Sequence, residues 1–381
     1  MTPEEIINIS KENFFWMHRH PELSEEEFES TAHVRKILED HHIHVEDIPL
    51  KTGLVASIGD GEGPTVAIRG DMDALPLQEK TDLPWKSERD GKMHACGHDF
   101  HTSTILGIAL SLADKKIHGK VQLIFQPGEE NLSGAKAVLA TGVLDHTDLI
   151  FGIHCIASKP RGTIVTRPGA MHGSTADFKV IFHGKGAHAC RPYQSIDPVL
   201  MTSQFVVEAQ SIVSRNMDPF HAGLVSITHV EAGSNANIIP DSGFVEGTAR
   251  TVSLADRELI HRRMQDMAVY LAESYGGNAE FHWNDGAPAT DNDPKWAAFV
   301  KEIAEAQGLP FVPAPDNLAG EDFAFYQQKI PGVFIQIGTG ISPMMHNPAF
   351  HVDPDTLKDS IPFGRALVLG ALKKLGGDVI D

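Results

Sequence analysis

Midway along the chain the alternation of strands and helices changes rhythm, and that change limits the folds open to it. Strand-like runs at 54–58, 65–70, 120–126 and 149–154 alternate with helical pattern at 102–114 and 133–141. Such alternation builds an α/β sheet with helices on its faces. Between about 175 and 285 the order becomes strand 176–182, helix 197–214, strands 223–231 and 243–252, helix 254–275 and strand 278–283. This βαββαβ order is the split-βαβ, ferredoxin-like arrangement. Helix 293–307, strand 332–338 and helix 355–374 then resume the first rhythm. A small unit is therefore inserted into a larger one, with Pro168-Gly169 and Gly286-Ala-Pro288 as the crossings. The 381 residues also exceed the roughly 250–300 at which one core stops growing. We expect two domains, residues 1–172 with 287–381 and residues 173–286.

Thr2-Pro3-x-Glu5 opens the first helix with a capping hydroxyl, a proline and a capping-box glutamate. Ser24-x-x-Glu27 repeats the box and predicts a second helix start. Gly59-x-Gly61-x-Gly63 is too tightly spaced for a dinucleotide fingerprint and is read as a hairpin turn. The formal charge of −19 opposes nucleic acid and anionic membranes as partners. No run approaches the roughly 18 apolar residues of a membrane span, and the first twenty residues lack a signal-peptide core. Three cysteines, Cys96, Cys155 and Cys190, show no disulfide-framework spacing, which suits a reducing cytoplasm.

Histidine is the unusual count, at 21. Residues 94–101, His-Ala-Cys-Gly-His-Asp-Phe-His, place four metal-ligand types just before a helix, and Gly97 allows the sharp bend a Cys-x-His pair needs. Glu129-Glu130 follows the strand 120–126 through Pro127-Gly128. Adjacent side chains there point opposite ways, so one glutamate can bind a metal while the other acts as a base. Asp71-Met72-Asp73 ends the strand 65–70, and period-two geometry sends both carboxylates to one side. His154 closes the strand 149–154, and His346 stands in Met345-His-Asn-Pro348 after the late strand 332–338. Each taken alone has a structural explanation, but four strand ends of one sheet delivering Asp, Glu or His around a His/Cys loop form one site. Neither a Gly-x-Ser-x-Gly elbow nor a phosphate loop nor a His-Glu-x-x-His helix is present. Cys96 as a thiol nucleophile stays open, although carboxylates around it oppose a thiolate unless a metal compensates.

These strings resemble the M20 metallopeptidase family, and within it the amidohydrolase branch of N-acyl-amino-acid and auxin-conjugate hydrolases. The similarity is carried by Arg69-Gly-Asp-Met-Asp-Ala-Leu-Pro76, Met93-His-Ala-Cys-Gly-His-Asp99, Phe125-Gln-Pro-Gly-Glu-Glu130, Gly184-Lys-Gly-Ala-His-Ala189, Asn237-Ile-Ile-Pro240, Gly247-Thr-Ala-Arg250, Gly320-Glu-Asp-Phe323 and His346-Asn-Pro-Ala-Phe350. The resemblance implies a catalytic domain interrupted by a lid through which two copies form a homodimer. It also implies that Cys96, His98, Glu130, His154 and His346 hold two divalent ions, zinc or manganese before cobalt or nickel. Glu129 would be the general base, with Asp73 orienting a ligand. His188 would reach an active site to stabilise the oxyanion, and Asn237 and Arg250 would contact the substrate carboxylate. His94, His101, Cys155 and His351 receive no role. Gly128 and Pro354 depart from residues usual in the branch, and neither departure removes a ligand.

The implied reaction is hydrolysis of an N-acyl amino acid, with a dipeptidase, a carboxypeptidase or an N-acetyl-diaminopimelate deacetylase as alternatives. A non-enzymatic metal or amino-acid binding protein would lack the base that Glu129 supplies.

Overall fold

The computed structural model describes residues 1–380. The chain divides into two compact units. The first comprises Met1–Met171, Asp291–Pro315 and the chain from Asp322 onward, and the second His172–Thr290 with Asp316–Glu321. The segment 316–321 thus leaves the larger domain to which the sequence reading gave it. It is held by the Gly173 amide, which donates to the Ala319 carbonyl at 3.0 Å.

The first unit is built on an eight-stranded sheet in the order His44–Val45, Leu54–Ile58, Lys120–Gln126, Thr65–Asp71, Leu149–Ile156, Gly332–Gly338, Ile164–Thr166, Phe311–Pro313. The four central strands, from Lys120–Gln126 to Gly332–Gly338, run parallel. Leu149–Ile156 is buried along its whole length, as expected of a strand covered on both faces. The helix His98–Leu112 is buried nearly all round, its first two turns polar and the rest largely apolar, and packs against Pro3–Arg19, Leu357–Lys374 and the sheet. Because the central strands are parallel, their carboxyl ends share one edge, where open α/β sheets gather ligands.

Two local expectations fail for physical reasons. Leu54–Ile58 and Thr65–Asp71 do not form a hairpin, because Lys120–Gln126 lies between them, antiparallel to the first and parallel to the second. The glycines between them instead press on the neighbouring turn. Gly61 donates to the Gly119 carbonyl at 3.1 Å, and a Cβ on Gly59 would lie 2.1 Å from that oxygen. The box at Ser24-x-x-Glu27 is not a cap either. Glu27 is itself the residue preceding the helix Phe28–Asp40, and its buried carboxylate accepts from Thr52 Oγ1 at 2.7 Å and the Gly128 amide at 2.8 Å. Thr2 and Glu5 do form a capping box on Pro3–Arg19.

In the second unit Ser174–His183, Pro198–Asn216, Gly223–Ala232, Ser242–Thr251, Leu254–Ser274 and Asn278–Asp285 follow one another as strand, helix, strand, strand, helix, strand. The antiparallel sheet has the order Gly223–Ala232, Ser242–Thr251, Ser174–His183, Asn278–Asp285. Phe182, Phe205, Ile212, Val245, Ile260 and Met264 fill the layer between sheet and helices. Fully burying such a side chain is worth about 1.5–3 kcal/mol, so this unit has a core of its own. No helix among the described residues is long and apolar enough to cross a membrane.

Candidate metal centre

At the shared strand edge of the first unit the helix His98–Leu112 begins four residues earlier than its periodicity suggests, so His98 stands in its first turn. Gly97 precedes it with φ +81°. A Cβ there would also lie 2.6 Å from Cys155 Sγ, so only glycine allows Cys96 and His98 to turn toward one point.

Asp73, just past the strand Thr65–Asp71, organises what surrounds it. Its carboxylate accepts the backbone amides of Glu129 and Glu130 at 3.1 and 3.0 Å, Ser24 Oγ at 2.7 Å, and His98 Nδ1 at 3.1 Å. Burial alone would raise its pKa, but these donors, His98 first among them, hold it below the ordinary carboxylate value. With Nδ1 engaged, His98 Nε2 is turned the other way, 4.0 Å from Glu129 Oε2 and 3.9 Å from Glu130 Oε1.

His154 is fixed in the same manner. Its Nδ1 donates to the Cys155 carbonyl at 2.7 Å, leaving Nε2 3.5 Å from Cys96 Sγ. His346 has φ +63°, donates its own amide to the Ala95 carbonyl at 2.8 Å, and brings Nε2 to 3.4 Å from Glu130 Oε1. That carboxylate raises the His346 pKa. Burial pushes the Cys96 thiol well up.

Cys96, His98 and His154 have donor atoms within 4.8 Å of one another, and so do Cys96, Glu130 and His346. The two triplets share Cys96. His98 Nε2 and Glu130 Oε1 are buried and hydrogen-bonded to nothing among the described residues. Orphaned polar atoms of this kind are costly unless a further ligand satisfies them. A thiolate, imidazoles and a carboxylate are the donors that zinc and its neighbours among the divalent ions prefer, so the residues present fit such a group.

The network behind the site was not foreseen. Arg69, wholly buried, donates from Nη1 to Asp71 at 2.5 Å, from Nη2 to Asp322 at 2.6 Å, and from Nε to Gln126 at 2.8 Å. Asp322 also accepts from Gln126 and from the Ala135 amide at 2.9 Å. Burial opposes ionisation of Asp71, yet Arg69, His98 and His101 beside it hold its carboxyl well below the usual range. His18 Nδ1 meets Asp99 at 2.6 Å, and its Nε2 lies 3.3 Å from Glu79. Both ring nitrogens of His94 are buried without a hydrogen-bond partner among the described residues, and burial pushes its pKa down to about 4. His351 Nδ1 donates to the Ala349 carbonyl at 3.2 Å.

The three remaining sequence candidates belong to the second unit. His188 lies on the short Ala187–His188 ladder opposite Ile238–Ile239, and the Asn237 carbonyl accepts the Ala189 amide at 2.9 Å, so these two residues are neighbours. His188 is exposed, and its Nδ1 accepts the Cys190 amide at 3.2 Å. Arg250 stands on Ser242–Thr251 between Thr175 and Leu224, with Nη1 beside Gly320.

The profile of peptidase family M20/M25/M40 matches residues 67–372, the greater part of the chain. The chain belongs to this M20 family. Among its M20 relatives, N-acetylcysteine deacetylase of Bacillus subtilis (strain 168) is 43% identical over 356 residues, covering 92% of this chain and 93% of the relative. IAA-amino acid hydrolase ILR1-like 4 of Arabidopsis thaliana is 36% identical, covering 96% and 87% respectively. The crystal structure of the Bacillus subtilis YXEP protein, described as a dinuclear metal binding peptidase of the M20 family, superposes with a TM-score of 0.87 at 38% identity. It covers 97% of this chain and 99% of that one.

Proposed function

We propose that this M20 protein is a metal-dependent amidohydrolase that releases the amino acid from N-acyl amino acids. The observation that carries the reading is the convergence of Cys96, His98, Glu130, His154 and His346 on one strand edge, with the Glu129 carboxylate 4.0 Å from His98 Nε2. These five residues would hold two divalent ions, zinc or manganese ahead of cobalt or nickel by donor type. Such a pair, when bound, lowers the pKa of a water and offsets negative charge on the substrate's carbonyl oxygen. Cys96 as a ligand needs a reduced thiol, which suits work in the cytoplasm.

Glu129 would take the proton from that water and pass it to the leaving amine. Asp73 holds Glu129 and Glu130 through their amides, so the base and the neighbouring ligand keep one relative position. His188 would donate to the oxyanion. A backbone amide can only donate, so the Cys190 contact makes Nδ1 the acceptor and places the proton of a neutral ring on Nε2. Asn237 and Arg250 would hold the substrate carboxylate, Arg250 by a two-pronged pair. The second unit, with strand order matching a ferredoxin-like split βαβ, would serve as the lid and as the surface of a homodimer.

The test is release of free amino acid from a panel of N-acetyl amino acids, N-acetyl-diaminopimelate and dipeptides, using protein whose metal content has been measured. We expect N-acyl amino acids to be cleaved and dipeptides to be poor substrates. Inactivity toward every N-acyl amino acid by protein holding two ions overturns the reading, and preferential dipeptide cleavage replaces it with a dipeptidase.

A further inference from the structure

His101 received no role from the sequence, and its environment in the structure is unusual for a core histidine. The ladder between Thr65–Asp71 and Leu149–Ile156 stops at the Arg69 and Gly152 pair. Leu149–Ile156 continues on its other side against Gly332–Gly338 as far as Ile156. Beyond Gly152, therefore, the side facing Thr65–Asp71 has lost its strand neighbour, while the chain there is fully buried and must still satisfy its amides.

The imidazole of His101 takes the place of that missing neighbour. The Cys155 amide donates to His101 Nε2 at 2.7 Å. An amide cannot accept, so Nε2 is the unprotonated nitrogen and Nδ1 carries the hydrogen. Nδ1 in turn donates to Asp71 Oδ1 at 2.5 Å. The other oxygen of Asp71 takes Arg69 Nη1, and the Asp71 carbonyl takes Thr102 Oγ1 at 2.7 Å, so the acceptor cannot swing away. The His101 ring lies against that of His154, with centroids 4.4 Å apart. His154 is also bonded through Nδ1 to the carbonyl of Cys155, the same residue whose amide His101 holds.

We infer that His101 is a positioning residue for the metal ligand His154, gripping the peptide at Cys155 through Nε2 while Asp71 and Arg69 fix its tautomer. Both ring nitrogens are thereby occupied, and His101 itself is not a ligand. The inference rests on the reading of His154 as a ligand in the proposed metal centre. It assigns to Asp71 and Arg69 the task of orienting the ring that orients the ligand, a layer deeper than Asp73, which touches His98 directly.

Three variants separate the parts. His101→Phe keeps a ring but removes both polar contacts. His101→Asn can still donate to Asp71 but does not reach the Cys155 amide, whereas His101→Gln can place its carbonyl oxygen there. Binding of Zn²⁺ is measured by competition with a chromophoric chelator, and Co²⁺ substituted for it reports ligand geometry through its visible bands. We expect His101→Phe and His101→Asn to weaken one of the two Zn²⁺ equilibria by about 10–100-fold, the usual effect of losing a residue that orients a ligand. The Co²⁺ bands should change in both, and His101→Gln should recover most of the affinity. Equal Zn²⁺ affinity in wild type and His101→Phe would overturn the inference, as would Gln behaving no better than Asn. A wild-type protein that binds no Zn²⁺ would fail the metal-centre reading and the inference with it, whereas normal wild-type binding unchanged by the variants fails the inference alone. Should the variants not fold, the ¹⁵N spectrum of histidine in the wild-type protein decides: an Nε2–H tautomer or a protonated ring at His101 contradicts the geometry, and the Nδ1–H tautomer supports it.

Discussion

Asp73 Oδ1 and His98 Nδ1 stand 3.1 Å apart, and the same carboxylate receives the amides of Glu129 and Glu130. One buried side chain thus fixes the ring of His98 in the first turn of its helix and sets the backbone of Glu129 and Glu130 beyond the strand Lys120–Gln126. Asp73→Ala is expected to lower divalent-metal affinity by about 10–100-fold while leaving secondary structure intact. A chelator competition titration measures it, and unchanged affinity would show that Asp73 does not orient His98.

Glu129→Ala should keep both ions and the fold but reduce turnover by about 10²–10⁴-fold, the contribution of a positioned general base. Metal analysis and amino-acid release on the same preparation check the two halves of this statement. Near-normal turnover removes Glu129 from the mechanism.

Replacing Cys96 affects both donor triplets, because its sulfur belongs to each. Cys96→Ala should therefore lose bound metal, not merely rate, since a thiolate supplies charge and a direct bond. Full metal content in an inactive variant would instead mark Cys96 as a nucleophile.

His18 makes stability depend on pH. Burial lowers its pKa, but hydrogen bonds to Asp99 and Glu79 outweigh this and raise it from 6.5 to about 9. A folded-state pKa above the unfolded one stabilises fully below the unfolded value and is lost as pH rises through the folded one. The contribution, on the order of 3 kcal/mol, should be complete below about pH 6.5 and fade toward pH 9 and above. Urea midpoints of wild type and His18→Gln across pH 6–10 test it, the difference between them shrinking as the pH rises. A constant difference would mean that His18 does not titrate in this window.

If His188 serves the site of a partner subunit, His188→Ala and Glu129→Ala proteins should each be nearly inactive and regain activity when their subunits are exchanged. A mixed dimer would hold one site with both residues intact. Loss of turnover in His188→Ala by about 10²–10³-fold is expected for a missing oxyanion donor. No recovery after verified exchange would confine His188 to its own subunit.

Much of this was readable in the sequence where neighbours in space are neighbours in the chain. The Cys96-x-His98 pair, Glu129-Glu130 and the strand carrying His154 show themselves through local spacing and strand period. Contacts between distant segments leave no such mark. Arg69 finds Asp322, 253 residues away, and nothing in either segment signals the pairing. The adjacency of Leu54–Ile58 to Lys120–Gln126 was hidden because a glycine-rich connection resembles a hairpin whichever strand it leads to. Ser24-x-x-Glu27 mimicked a helix cap because serine and glutamate are the capping types, yet Ser24 donates to Asp73 and Glu27 accepts from Thr52 and Gly128. His101 is the clearest case. Its role depends on where a ladder stops, which is a property of two strands and not of the residue.

Gly332–Gly338 enters the sheet between Leu149–Ile156 and Ile164–Thr166, although about 170 residues separate it from them in the chain. During synthesis the ribosome must therefore deliver the entire second unit before this gap can close. Until then Ile150, Phe151 and Ile153, all buried in the finished protein, lie beside an unpaired strand edge. Such an edge invites pairing with other nascent chains. A chain stopped before residue 332 would carry four of the five proposed ligands and still present that open edge, so truncation there is expected to favour aggregation over a partly built site.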